Sequence, residues 1–266
     1  MGNLFVFGMG YSAARIAAAL EAKGWRIHGT GRGGEIAFDD EAAVRAGLAG
    51  ATHVLSSVPP SDEGDPVLLR YGTALEGKWL GYLSSTGVYG DTGGAWVDES
   101  APIGGGRRSA RAEADARWLK LGARVFRLPG IYGPGRSPLE RVRGGTAHRI
   151  DLPDQVFSRV HVDDIASGVE AAIEAAVPAG AYNLADDEPA NQNAVIEHAC
   201  RLLGLPLPPL RTLDEAGLSP MARGFYAENR RVTNGKLKRM AGWAPQFPNF
   251  REGLASLLQN QRGLTY

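Results

Sequence analysis

The sequence has no excess of either charge: 29 Lys and Arg stand against 29 Asp and Glu, a formal net charge of zero. Without a net field, nothing global draws the chain to nucleic acid or to an anionic membrane surface. The partners expected are small molecules, with neither nucleic acid nor membrane among them. Cysteine is nearly missing. Cys200 is alone and cannot close an internal disulfide, and its setting in Val195-Ile196-Glu197-His198-Ala199-Cys200 reads as one face of a helix, where a free thiol is a buried core residue. No apolar run is long enough to span a bilayer. The apolar start of the chain is broken at once by Gly8 and Gly10 and carries neither a basic n-region nor a cleavage site, so a cytoplasmic location is expected. The five histidines, His28, His53, His148, His161 and His198, lack any ligand spacing, and no metal is expected.

What is present is a chain of 266 residues with 44% hydrophobic content, enough to bury the core of one domain with a small lobe. Asn3 to Phe7 reads as a strand, Gly8 to Gly10 as a turn, and Ser12 to Ala22 as a helix with Ile16, Ala19 and Leu20 on one side. The same alternation recurs. Strands are expected at Trp25 to Thr30, Ile36 to Phe38, Thr52 to Val58, Trp79 to Ser84 and Arg124 to Leu128, with helices between most of them. Beyond Pro129 the rhythm loosens into Gly and Pro turns. Strands follow at Val160 to Val162 and Tyr182 to Leu184, with helices at Asp163 to Ala176, Asn191 to Leu203 and Asn249 to Gln259. Strands separated by helices make a parallel, doubly wound α/β sheet of the Rossmann kind. The expected division is a core of residues 1–135, completed by 158–187, and a smaller C-terminal substrate lobe of 136–157 and 188–266.

The first turn reads Gly8-Met9-Gly10-Tyr11-Ser12-Ala13, a GxGxxA string between the first strand and the first helix. That context makes it a dinucleotide turn: the first glycine permits the bend, the second lets a pyrophosphate approach the backbone, and Ala13 allows close helix packing. The helix opening at Tyr11 and Ser12 then presents free N–H groups to the phosphates. The second strand ends Gly29-Thr30-Gly31-Arg32, with no carboxylate for a ribose 2′-hydroxyl. Arg32 instead suits a 2′-phosphate, with Thr30 adding a hydroxyl. NADP is the expected cofactor, with NAD the alternative.

Two further strings, Leu83-Ser84-Ser85-Thr86-Gly87-Val88-Tyr89-Gly90 and Arg127-Leu128-Pro129-Gly130-Ile131-Tyr132-Gly133-Pro134-Gly135, resemble the extended short-chain dehydrogenase/reductase family, which includes NAD-dependent epimerases and dehydratases. The resemblance continues through Arg159 to Ala166 and Tyr182 to Asp186. The segments Arg231 to Asn234 and Met240 to Trp243 look more like the family's small atypical branch. It implies that Ser85 is the Ser/Thr that hydrogen-bonds the reacting oxygen. It also implies that Ser56, Ser57, Val58 and Pro59, at the end of the fourth strand, meet the nicotinamide-side ribose and phosphates, and that Pro129, Gly130 and Ile131 face the nicotinamide carboxamide.

The family's active enzymes carry Tyr and Lys at YxxxK spacing on the next helix, where the ammonium lowers the phenol pKa. This chain has no such pair: alignment on Ala112-Glu113-Ala114-Asp115 puts Arg111 at the lysine and Arg107 at the tyrosine. Arg111 suits the nicotinamide ribose. Arg107, beside Arg108, cannot relay a proton and equally reads as part of a solvated charged turn. Three residues could substitute as proton source. Tyr89 follows the Ser strand. His161 ends a strand, although it also reads as a structural residue before a helix cap at Asp163. Tyr226 reaches in from the second lobe. Asp98 and Glu99 read as structural. Arg136, His148, His161 and Tyr226 are the substrate-side candidates, and with Arg141, Arg143, Arg149 and Arg159 they suggest an anionic substrate, a sugar nucleotide being one. Two readings follow: an enzyme of the epimerase, dehydratase or reductase type exchanging hydride with a hydroxyl or carbonyl carbon, or a catalytically silent NADP-binding sensor. The oligomeric state is expected to be monomer or homodimer.

Overall fold

The computed structural model describes residues 2–105 and 109–263, and only the backbone of 221 and 261–263. The strands are β1 (Asn3–Phe7), β2 (Arg26–Gly29), β3 (His53–Ser56), β4 (Trp79–Ser85), β5 (Trp96–Val97), β6 (Arg124–Leu128), β7 (Gly130–Tyr132), β8 (Arg149–Ile150), β9 (Arg159–His161), β10 (Gly180–Asn183), β11 (Leu210–Arg211) and β12 (Arg231–Val232). The helices are α1 (Tyr11–Glu21), α2 (Glu41–Gly50), α3 (Pro66–Tyr71), α4 (Ser109–Lys120), α5 (Pro138–Arg143), α6 (Val162–Glu174), α7 (Gln192–Leu203), α8 (Pro220–Phe225), α9 (Gly235–Ala241) and α10 (Phe250–Gly263).

Six strands form one parallel sheet in the order β10-β6-β4-β3-β1-β2. The order reverses between β1 and β3, and in such a sheet ligands bind in the crevice at the carboxyl ends of the strands beside that reversal. Register brings Phe7 level with Ser56, and Ser85 level with Leu128, so four strand ends open onto one crevice. Alternation along β1 sends Leu4 and Val6 to one face and Phe5 and Phe7 to the other. Both faces are buried, one under α1 and α6 and the other under α2 to α4, which is why the strands read as unbroken apolar runs. A third apolar cluster, with Leu139, Val195, Phe250 and Leu254, joins α5, α7 and α10, and buried Cys200 lies on α7.

Three expected elements differ. Ile36 to Phe38 is not a strand; Ile36 makes a single bridge to Thr30, and Ile36 and Phe38 pack on the core as loop residues. The run expected at Val160 to Val162 is β9, which pairs with β7 outside the central sheet. Helix α6 is capped by His161, whose Nδ1 accepts the Asp163 N–H, and not by Asp163. No helix among the described residues is long and apolar enough to cross a membrane.

Candidate functional site

A cleft of about 1050 Å³ opens at these strand ends, with Arg141, Phe157 and Tyr226 among the residues of its other wall. At its foot Gly8 turns with φ +80°, where its N–H donates to Thr30 Oγ1 (3.2 Å) and its carbonyl accepts from Ser57 Oγ (2.5 Å). Gly10 is the N-cap of α1, with no side-chain cap and no acid in the first turn, so the opening N–H groups and the helix dipole are left for an anion. A Cβ on Gly10 would meet nothing closer than the Gly8 carbonyl at 3.8 Å. Nothing in the protein's own packing requires glycine there, and the space it leaves opens on the cleft, as a pyrophosphate needs. Tyr11, Ser12 and Ala13 line the cleft beside it, and Tyr11 also donates to the Pro134 carbonyl (3.0 Å) with the Arg136 guanidinium 5.9 Å from its ring.

Thr30 is corrected: it is fully buried, and its hydroxyl holds the glycine turn instead of facing a phosphate. Arg32 stands exposed just beyond β2, outside the lining of the cleft. Of the segment after β3, which is the third and not the fourth strand, only Ser57 lines the cleft. Ser56 is buried with its hydroxyl unpartnered, Val58 packs against Gly8, and Pro59 stands outside.

Further along the wall, Ser85 lines the cleft and its Oγ accepts the Gly87 N–H (3.1 Å), which leaves its own proton to donate. Pro129, Gly130 and Ile131 face it from β6 and β7. Arg111 lines the cleft at the expected lysine position, donating to Tyr82 Oη (2.9 Å), a phenol whose pKa burial raises to about 12. Arg107 and Arg108 lie outside the described residues.

Tyr89 does not reach the cleft. It is buried, donates to Asn183 Oδ1 (2.7 Å) and accepts from Arg127 (3.0 Å), in a network where Arg127 grips Asp115 through two N–H groups (2.8 and 3.0 Å) and Ser84 donates to the same carboxylate. Burial raises its pKa against the pull of Arg127, so it is a neutral structural phenol and not a proton source. His161 is corrected likewise. It caps α6, its ring lies edge-on to Tyr132 (5.1 Å) and near Phe247 (4.3 Å), burial lowers its pKa, and it does not line the cleft. Arg149 turns away to Glu197 (2.6 Å).

Arg136, Arg141, His148 and Tyr226, with Arg159 from β9, do line the cleft. Tyr226 Oη and His148 Nε2 lie 3.5 Å apart, the limit of a hydrogen bond. Burial, then Arg141, lowers the His148 pKa, while burial raises that of Tyr226, so both are neutral at pH 7. Sequence reasoning missed Arg230, which donates to Gly90 O (2.7 Å) and Glu228 (2.9 Å) and brings its guanidinium beside the Ser85 turn. No local pattern could have found a contact 140 residues away. Among the described residues no cluster of His, Cys, Asp or Glu is placed to hold a metal.

A doubly wound parallel sheet with an uncapped glycine turn at its reversal and a serine strand opposite is a fold this chain shares with solved NAD-dependent epimerase/dehydratase structures. No family model matches the chain. A Streptomyces protein named 3-diazoavenalumate denitrifying reductase is 33% identical over 181 residues; the match covers 59% of this chain and 58%, under two thirds, of that relative. Among solved structures, a conserved protein of unknown function from Silicibacter pomeroyi is 42% identical with a TM-score of 0.88, over 98% of this chain and 99% of that one. The human epimerase family protein SDR39U1, solved with NADPH, shares the fold at 17% identity and TM-score 0.77, over 97% of this chain and 99% of that one.

Proposed function

We propose that this chain is an NADP-dependent oxidoreductase of the epimerase, dehydratase or reductase type acting on a small anionic substrate. The observation that carries the reading is the uncapped α1 terminus at Gly10, with room that no protein atom needs, opening on the same cleft as Ser85 and Pro129 to Ile131. Gly8, Gly10, Tyr11, Ser12 and Ala13 would hold the pyrophosphate, Arg32 the 2′-phosphate, Ser57 the ribose side, and Pro129 to Ile131 the carboxamide. When bound, the nicotinamide supplies or accepts hydride. Ser85, its acceptor side engaged by Gly87, donates a hydrogen bond to the substrate's reacting oxygen and keeps its proton. Arg111 contributes permanent positive charge beside it and transfers no proton, so any proton the reaction needs comes from water. A relative named as a reductase and a fold neighbour solved with NADPH support the reading. Residues 1–135 with 158–187 would carry the cofactor, and 136–157 with 188–266 the substrate, in a cytoplasmic monomer or homodimer.

The test is calorimetric titration with NADPH, NADP and NAD, followed by nicotinamide fluorescence as carbonyl compounds and sugar nucleotides are added. NADPH binding with oxidation is expected, and failure of all three nucleotides to bind would end the proposal. Tight binding without turnover would select the second reading, a silent NADP sensor, which the absence of the Tyr-Lys pair favours.

A further inference from the structure

We infer that the lobe end of the cleft is a receptor for a planar aromatic acid, with Arg141 taking the carboxylate and Phe157, Phe225 and Tyr226 packing the ring. This deepens the oxidoreductase reading by naming its substrate class. The inference starts from how differently the arginines of this cleft are engaged. Arg159 donates to the carbonyls of Phe157 and Ala190 and to Gln192 (2.7, 2.9 and 2.9 Å), Arg230 to Gly90 and Glu228, and Arg111 to Tyr82. Among the described residues Arg141 has no such partner: no carboxylate lies within 4 Å of its guanidinium and no acceptor meets it.

Its backbone, by contrast, is pinned. The loop after α5 folds back so that the Arg141 carbonyl accepts from Thr146 N (2.9 Å), Ala147 N (3.1 Å) and Thr146 Oγ1 (3.4 Å). A residue fixed at its backbone and uncommitted at its charge is placed to meet something from outside. The side chain is exposed and lines the cleft, so its guanidinium is open to a ligand arriving from solvent.

The surroundings choose among anions. Neither neighbour answers the charge, since His148 and Tyr226 are both neutral at pH 7. The two acids that line the cleft are engaged elsewhere: Glu140 accepts from Ser137 N (2.6 Å) and its hydroxyl, and Glu228 from Arg230. One guanidinium fork matches one carboxylate in a bidentate pair. Beside it the wall is made of rings: Tyr226 meets Phe157 edge-on at 5.6 Å and 88°, and Phe225, half exposed, lines the same space. Aromatic side chains bury a flat aromatic ring by stacking or edge contact.

The experiment titrates the full chain, with and without NADPH, with cinnamate, its neutral analogue cinnamyl alcohol, and UDP-glucose. Cinnamate is expected to bind about tenfold or more tighter than the alcohol, and Arg141→Gln to weaken cinnamate about tenfold and erase the acid-alcohol difference, with NADPH affinity unchanged. Arg141→Lys, which keeps the charge and loses the fork, should fall between, and an unchanged melting temperature certifies both variants as folded. UDP-glucose binding in place of cinnamate, equal affinity for acid and alcohol, or cinnamate binding by Arg141→Gln within about twofold of the parent would each overturn the inference. Cinnamate binding without any nicotinamide nucleotide binding would instead strike the oxidoreductase reading and leave this one standing.

Discussion

Arg127 and Arg159 are both almost fully buried, 2% and 6% exposed, and they are held in opposite ways. In the sheet core, burial works against the Arg127 charge, but the two hydrogen bonds it donates to Asp115 and the nearby Tyr89 outweigh it and raise its pKa. At the wall of the cleft, Arg159 on β9 meets only uncharged oxygens; burial lowers its pKa to about 10, and the nearby Asp186 carboxyl makes no hydrogen bond with it. Arg127 is therefore completed by a carboxylate, and Arg159 is not. Arg159 and Arg141 put cations without a paired carboxylate on the wall of the cleft, whereas the Arg127 network serves the fold.

The largest expected effect tests the self-completed side. Asp115→Ala leaves the Arg127 charge buried and unpaired, and should cost about 3–5 kcal/mol in denaturant unfolding. A loss under about 1 kcal/mol would mean water reaches Arg127 and would dissolve the contrast.

The Arg159 side is tested by pH. Burial raises the Asp186 carboxyl from its ordinary 3.8 to about 8, with Arg159 only partly opposing it. The folded chain then keeps a proton that the unfolded chain releases between those values, so stability falls as pH rises through that window and levels off above it. Asp186→Asn, which never ionises, should match the parent near pH 4 and exceed it by on the order of 2 kcal/mol at pH 8. Thermal unfolding at the two pH values reads this directly, and an equal effect at both would show that Asp186 is ionised throughout.

How much of this contrast was legible in the sequence depends on what each pattern encodes. The strand, glycine turn and helix at residues 3–21 were readable because the GxGxxA string carries both a conformation and a context. The Ser85 strand and Pro129 to Ile131 were readable from motif resemblance. What the pattern does not carry is the direction of a side chain at a strand end. Ser56 turns into the core and Ser57 into the cleft, one residue apart, and Thr30 spends its hydroxyl on Gly8. His161 reads as a strand-end acid-base group until its Nδ1 is seen capping α6. Ile36 and Phe38 have strand-like apolarity but pack as loop residues. Arg230, which no expectation named, reaches the cleft only through tertiary placement.

Arg32 sharpens the comparison from a third direction, since it is an exposed cation just beyond β2 that lies outside the lining of the cleft. If it reads the 2′-phosphate, Arg32→Glu should lower the NADP to NAD affinity ratio by about tenfold or more and leave stability alone. A ratio unchanged in calorimetry would remove Arg32 from the site and with it the preference for NADP.

The smallest effect separates fold from chemistry at Tyr89. Phenylalanine keeps the ring and removes one oxygen that donates to Asn183 and accepts from Arg127. Arg127 retains its two bonds to Asp115, so the loss should be about 1 kcal/mol, the net worth of one buried hydrogen bond and part of another. NADPH affinity and any turnover should be unchanged, because the ring does not line the cleft. A variant of parental stability that had lost turnover would put the Tyr89 oxygen at the reacting centre. It would then restore a phenol to the site and make the core network part of the catalytic wall.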